Sequence, residues 1–319
     1  MLPKEEMRRK LQNKMPGKKH PILTVLIILG VIALFLGMTM IVVLKMLGAP
    51  SQLSFGAKIG VIPIEGPITD SQDIVSQLVK FREDKGIKAI ILRINSPGGG
   101  VGASQEIYRE VRRTIKNKKV IASMGGVAAS GGYYVAAGAD KIVANPGTIT
   151  GSIGVIMEFV RFEDLLKKIG VTLEVLKSGE FKDIGSPVRE LTEQDKKIIQ
   201  SLISDIQDQF IEAVAQGRHL SVEQVRRIAD GRIFSGAQAK VLGLVDTLGN
   251  FRDAVGLAKD MTGIEGEAEL VYPKKSTLDL WDILFGSAAD SFMRFFQKTR
   301  THFDYRWTGF LDYGAKENY

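Results

Sequence analysis

The chain has 319 residues, three histidines, no cysteine and a formal net charge of +7. The missing cysteine excludes thiol nucleophiles and cysteine-ligated metal sites. Residues 1–21 carry seven Lys/Arg against two Glu, which accounts for +5 of the +7, so the rest of the chain is near balance and the basic composition is no sign of nucleic-acid binding.

From the N-terminus, the first element is Ile22–Leu44, 23 positions without a charge. As a helix it would be roughly 35 Å long, enough to span a bilayer. The competing reading is a secretory signal peptide, whose apolar core is only about 7–15 residues long. The length predicts an uncleaved transmembrane helix at 22–44, with the basic segment 1–21 held in the cytoplasm and everything after Lys45 outside. Residues 45–56 read as a linker. Strands are predicted at Lys58–Ile64, Lys88–Ile94, Val120–Met124, Lys141–Ala144 and Val171–Leu176. Helices are predicted at Ser71–Glu83, Ala103–Asn117, Gly131–Gly138 and Glu163–Ile169. This alternation predicts one α/β domain of stacked ββα-like units over residues 57–272.

Four segments in that domain carry chemistry. Asn95-Ser96-Pro97-Gly98-Gly99-Gly100 lies between a strand and a helix, and successive free amides at such a turn form an anion-binding concavity. Ser130 then sits at a strand-to-helix turn between glycine-rich flanks, at the positive end of the following helix, in the manner of a nucleophile elbow without the G-x-S-x-G pattern. The alternative is a serine that only caps that helix. Thr150-Gly151-Ser152-Ile153-Gly154-Val155 is a second glycine-flanked serine turn. Finally, the loop Ser178–Pro187 holds Lys182 between Phe181 and Ile184. None of the histidines His20, His219 and His302 lies in a glycine-rich or strand-end segment, so a base for Ser130 has to be another group, and a dehydrated lysine is the main choice. A solvated surface lysine is the alternative reading of Lys182.

Beyond the loop, Thr192 is placed to cap an amphipathic helix Glu193–Gln216, whose stripe includes Ile198, Leu202, Ile206, Phe210 and Val214. The stripe reads as core, or as a surface between subunits. Residues 273–319 form an aromatic, basic tail, from Leu278 and Trp281 to Arg306, suited to the membrane surface or to packing on the body.

The ordered set formed by Asn95–Gly100, the Ser130 segment, Thr150–Val155, the Lys182 loop, Ile228–Gly236 and Gly243–Asp246 resembles the signal peptide peptidase A family, over about Lys58–Thr262. The resemblance implies a crotonase-like fold shared with the Clp protease subunit and a serine peptidase with a Ser–Lys dyad. Ser130 would be the nucleophile, Lys182 the general base and Ser152 the hydroxyl that orients the lysine amine. Gly99 would supply an oxyanion amide together with Ser130 itself, the choice between Gly98 and Gly99 staying open. It further implies peptide substrates such as cleaved signal peptides, no cofactor or metal, and a bacterial membrane location. The single copy of each motif implies a homo-oligomer, with sites shared between subunits. A crotonase-type acyl-CoA enzyme and a non-catalytic membrane scaffold are the competing functions.

Overall fold

The structure, a computed structural model, describes residues 21–46, 57–273 and 303–306. The expectations for the N-terminal basic segment, the linker and most of the aromatic tail lie outside them. The chain divides into two units, one ending at Phe55 and one starting at Gly56. The first unit holds helix α1 (Pro21–Met46), whose described side chains, Val25 to Met40, are all exposed. These described side chains stop short of both ends of α1, and among the described residues no helix is long and apolar enough to cross a membrane.

The second unit runs β1 (Lys58–Glu65), α2 (Gln72–Glu83), β2 (Ile87–Ser96), β3 (Gly98–Gly100), α3 (Val101–Thr114), β4 (Lys119–Ala129), α4 (Gly131–Ala137), β5 (Lys141–Ala144), β6 (Ile149–Gly151) and β7 (Ile156–Met157). It continues with α5 (Glu163–Lys168), α6 (Glu193–Arg218), α7 (Val222–Arg226), β8 (Ile233–Ser235), α8 (Gly236–Val241), β9 (Thr247–Leu248), α9 (Phe251–Thr262), β10 (Glu269–Val271) and β11 (Phe303–Arg306).

Runs such as Ile90-Ile91-Leu92 are apolar without alternation, which suits strands covered on both faces. They form a parallel sheet in the order β10-β1-β2-β4-β5-β9. One face packs Ile62, Ile64, Ile90 and Leu92 against α2, α3, α4 and the second half of α6, and the other packs Val61, Ala89 and Ile91 against Ala254 and Ala258 of α9. Strand β4 is the pivot. Its first half pairs with β5 (Ile121 opposite Lys141), and its last residues pair with β6 (Ala129 opposite Gly151). A register shift between Ile94 and Ser96 then sets Ser96 opposite Ala128, so three chain segments converge where β4 ends.

The strand expected at Val171–Leu176 does not form. The segment has no regular structure and pairs with no described strand, and Leu176 is 92% exposed. Its β-forming composition is not enough, because a strand also needs a neighbour's N–H and C=O groups. The amphipathic helix forms as α6, with Thr192 and Asp195 in a reciprocal capping box. Its stripe splits: Phe210 and Val214 are fully buried, while Ile198 and Leu202 remain exposed.

Candidate active site

Ser130 stands at the junction of β4 and α4 with φ +53°, an uncommon conformation for a residue with a side chain. It holds the N-cap position, yet its hydroxyl makes no capping bond. The plain capping role is therefore absent. The residue is 1% exposed, at the bottom of the convergence described above. Helix α4 is held from below: Tyr133 is fully buried and its hydroxyl donates to the Leu244 carbonyl at 3.0 Å. Burial pushes the Tyr133 phenol up, and that of Tyr134 up to about 12, so both are neutral packing groups. The Gly243–Asp246 segment serves this support. Asp246 accepts from Arg218 Nη2 at 2.6 Å and from the Ile142 amide at 2.8 Å, which ties α6 to β5.

The glycine loop lies beside the start of α4. A Cβ on Gly132 would come within 2.9 Å of the Ser96 carbonyl oxygen, so only glycine permits this approach. Within the loop the amides have different fates. The Gly98 N–H donates to Ser96 Oγ at 3.1 Å. The Gly98 carbonyl accepts from the Ile68 amide, and the Gly100 amide donates to the Ile68 carbonyl, both at 2.8 Å. Because these groups alternate along an extended chain, the Gly99 N–H and C=O turn to the opposite edge. That edge is occupied by β11, which runs antiparallel with Tyr305 opposite Gly99 and also pairs with β7 (Phe303 opposite Met157). Gly99 has φ +157°, and a Cβ there would sit 2.2 Å from the Ile68 oxygen.

Ser130's own amide donates to the Gly151 carbonyl at 2.9 Å, as the last bond of the β4–β6 ladder. It is therefore engaged, contrary to the part expected of it in an oxyanion hole. The Gly131 N–H, the next along the chain, is in the first turn of α4, where amides have no partner within the helix. Sequence reasoning passed over it, although helix N-termini are where free amides are to be sought. Ser152 is buried beside this junction with φ +50°, and its amide donates to the Arg232 carbonyl at 2.8 Å. Through β8 the segment Ile228–Gly236 thus fixes the Ser152 turn.

Lys182 lies elsewhere. It is exposed, and among the described residues its side chain makes no hydrogen bond or ion pair. The chain gathers Ser130, Ser152 and Gly99 into one place but brings no described contact between Lys182 and either serine. His219, the described histidine, is the left-handed C-cap of α6 and is exposed.

Lys182's neighbour is bound firmly. Asp183 accepts from Lys177 Nζ at 2.8 Å and from Arg189 Nε and Nη2, each at 2.9 Å. Arg189 Nη1 reaches Asp195 Oδ2 at 2.5 Å. The Arg189 guanidinium and then the Lys177 ammonium hold the Asp183 carboxyl far below the usual carboxylate range. Asp195 is lowered to about 2, by Arg189 and by the Thr192 amide.

Two family models match the chain: one for peptidase family S49 over residues 112–265, and one for Clp protease over residues 57–148. A Synechocystis protein named as a protease is 46% identical over 217 residues, covering 68% of this chain and 78% of the relative. A protein of Enterococcus faecium that carries the name signal peptide peptidase SppA is 40% identical over 207 residues, 65% of this chain and 60% of the relative. Protease 4 of Haemophilus influenzae is 40% identical over 220 residues, 64% of this chain but 35% of that longer protein. The parallel sheet with its helical layers fits a Clp-protease-like domain.

Proposed function

The chain belongs to peptidase family S49, the signal peptide peptidase A family, and is a serine peptidase; from that premise we propose that it is a membrane-anchored endopeptidase in which Ser130 attacks a peptide carbonyl and Lys182 acts as the base. The observation that carries this reading is β11. An extended segment lies in antiparallel register along Gly98–Gly100, beside the buried Ser130, with β7 on its other edge. An extended peptide that takes the place of β11 pairs with β3 and β7 in the same register and meets the Gly99 amide that β11 now faces, and its main chain supplies recognition without sequence demands.

The steps follow from the groups at hand. Neutral Lys182 takes the Ser130 proton as Oγ bonds to the carbonyl carbon. The oxyanion is held by the Gly99 amide, since that of Gly98 is engaged with Ser96, and by the Gly131 amide in place of Ser130's own. Losing one such donor costs about 10²–10³ in rate. The lysine ammonium protonates the leaving amine, and Lys182 then activates the water that releases the acyl group from Ser130. Ser152, buried beside Ser130, receives and orients the lysine amine. Because Lys182 is exposed and distant in contacts within its own chain, we assign the base of each site to a neighbouring copy. The exposed apolar residues flanking it, Leu173, Val175 and Leu176, favour such packing.

Substrates are extended, apolar peptides such as cleaved signal peptides. The anchor rests on the uncharged run Ile22–Leu44 within α1, with the basic segment 1–21 inside and the catalytic unit outside. Nothing in the site favours the acyl-CoA or scaffold readings. The deciding experiment is hydrolysis of casein and of a synthetic signal peptide by Ser130→Ala and Lys182→Ala. Each variant loses at least about 10³ in kcat/KM, and the double variant is no worse than either single one. Near wild-type turnover by Lys182→Ala would remove the lysine from the mechanism.

A further inference from the structure

The segment from Val171 to Glu190 pairs with no strand, and its apolar side chains are largely exposed. Its internal bonds are turns: Lys182 N–H to Gly179 O at 3.2 Å, Ile184 N–H to Phe181 O at 3.1 Å, and Ser186 N–H to Asp183 O at 3.0 Å. Such turns shape a loop but do not fix it to the body. Two contacts reach outward near residue 185. The ring of Phe159 lies where a Gly185 Cβ would be, and the Phe162 amide donates to the Pro187 carbonyl at 2.7 Å. Both partners belong to the same exposed stretch of chain.

The link to rigid structure is ionic. Arg189 holds Asp183 through two parallel N–H···O bonds and, with its remaining nitrogen, reaches Asp195 and the Glu190 carbonyl. Asp195 is 2% exposed and accepts the Thr192 amide as the third residue of α6. The far half of α6 is set in the core by Phe210 and Val214. A continuous line of bonds therefore runs from the residue next to Lys182 to the core of the domain. The planar fork of arginine suits this role because it fixes direction as well as distance. The charges also cancel: Lys177 and Arg189 face Asp183 and Asp195.

Resting on the dyad reading above, we propose that Asp183, Arg189 and Asp195 are positioning residues that brace the Lys182 loop on α6 and so deliver the base to the Ser130 site. A strut of this kind lets a loop with few contacts of its own present one amine reproducibly. A misplacement of about 1 Å in a reacting group costs on the order of 10² in rate.

The test uses the full chain carrying Asp183→Asn, Arg189→Met, Arg189→Lys or Lys182→Ala, assayed on one peptide. Melting temperature and oligomeric state are measured alongside. Expected are a kcat lower by about 10- to 100-fold for Asp183→Asn and Arg189→Met, KM within about twofold, and partial recovery in Arg189→Lys, which keeps the charge but loses the fork. Hydrogen exchange is expected to quicken over residues 177–188 and to stay unchanged over the second half of α6. A merely structural role would lower the melting temperature or break the assembly without this split between kcat and KM. The inference is overturned if Lys182→Ala is inactive while Asp183→Asn and Arg189→Met retain wild-type kcat. It is equally overturned if their loss lies in KM or in assembly. An active Lys182→Ala removes the dyad reading instead, and this inference with it.

Discussion

The two halves of the proposed dyad sit in regions built on opposite terms. Ser130 ends a strand whose neighbours on both sides belong to the same chain, and it is surrounded by fully buried residues. Lys182 sits on an arm, from Ile156 to the first turns of α6, that exposes apolar residues and meets the body through a few bonds. The proposed nucleophile and oxyanion amides thus lie in elements packed within one chain, whereas the proposed base is presented outward. On the proposed dyad reading, a single chain folded this way holds the nucleophile without its base, and activity would await the assembly of copies.

The sharpest way to break this comparison is complementation. Ser130→Ala and Lys182→Ala chains, each inactive, are coexpressed and purified together through two different tags. If each site takes its base from a neighbour, random mixing restores up to about a quarter of the wild-type sites. Verified mixed assemblies without activity would place both residues of a site in one chain and leave the outward-facing arm unexplained.

The next largest effect falls on the nucleophile side. A Cβ on Gly99 would meet the Ile68 backbone oxygen at 2.2 Å, whereas one on Gly100 would lie 3.6 Å from the same atom. Gly99→Ala must therefore displace the loop and the amide that faces β11. Its kcat is expected to fall by about 10²–10³, the cost of one oxyanion donor, while Gly100→Ala stays within a few-fold. Equal losses in both would mean that the Gly99 amide has no special part.

The Ser130 turn was the more legible region in the sequence as local structure, for a physical reason. A glycine-flanked serine between an apolar strand and a small-residue helix is a local pattern, and the backbone strain at Ser130 is local as well. The parallel sheet was legible because both-sided burial leaves unbroken apolar runs. What escaped depends on partners. Val171–Leu176 has strand composition but no neighbour to bond. Ser130's amide was assigned to the oxyanion, yet the register of β6 gives it to Gly151. Thr192 was legible as a cap, whereas the reach of Arg189 to Asp183 and Asp195 depends on side-chain direction, which spacing does not encode.

Two exposed residues of similar character sharpen the comparison further. Leu176 on the arm is 92% exposed, and Val241 on the body is 88% exposed. If a second copy covers the arm, Leu176→Asp buries a charge on assembly and weakens association by at least about tenfold, with activity falling in step. Val241→Asp, on the body, is expected to leave association unchanged and to shift stability by no more than about 0.5 kcal/mol. Sedimentation at several concentrations separates the two. Equal and small effects would leave the arm's apolar surface without a partner.

The smallest expected effect concerns acid. Asp195 titrates at about 2 in the folded chain, held down by Arg189 and by the Thr192 amide, against about 3.9 for a free aspartate. A folded value below the unfolded one means that the brace contributes in full above about pH 4 and is lost as the pH falls toward 2. Asp183, held lower still by Arg189 and Lys177, keeps its charge at least as long. Between pH 7 and pH 4, therefore, exchange protection over residues 177–188, corrected for intrinsic rates, should stay flat. Peptidase activity over the same range should fall, because a general base that takes the Ser130 proton works only in its unprotonated form. The two curves thus separate the loss of the base from the loss of its support. If protection and activity instead fall together between pH 7 and pH 5, acid inactivation is an unfastening of the arm, and the ionic brace is weaker than its geometry implies.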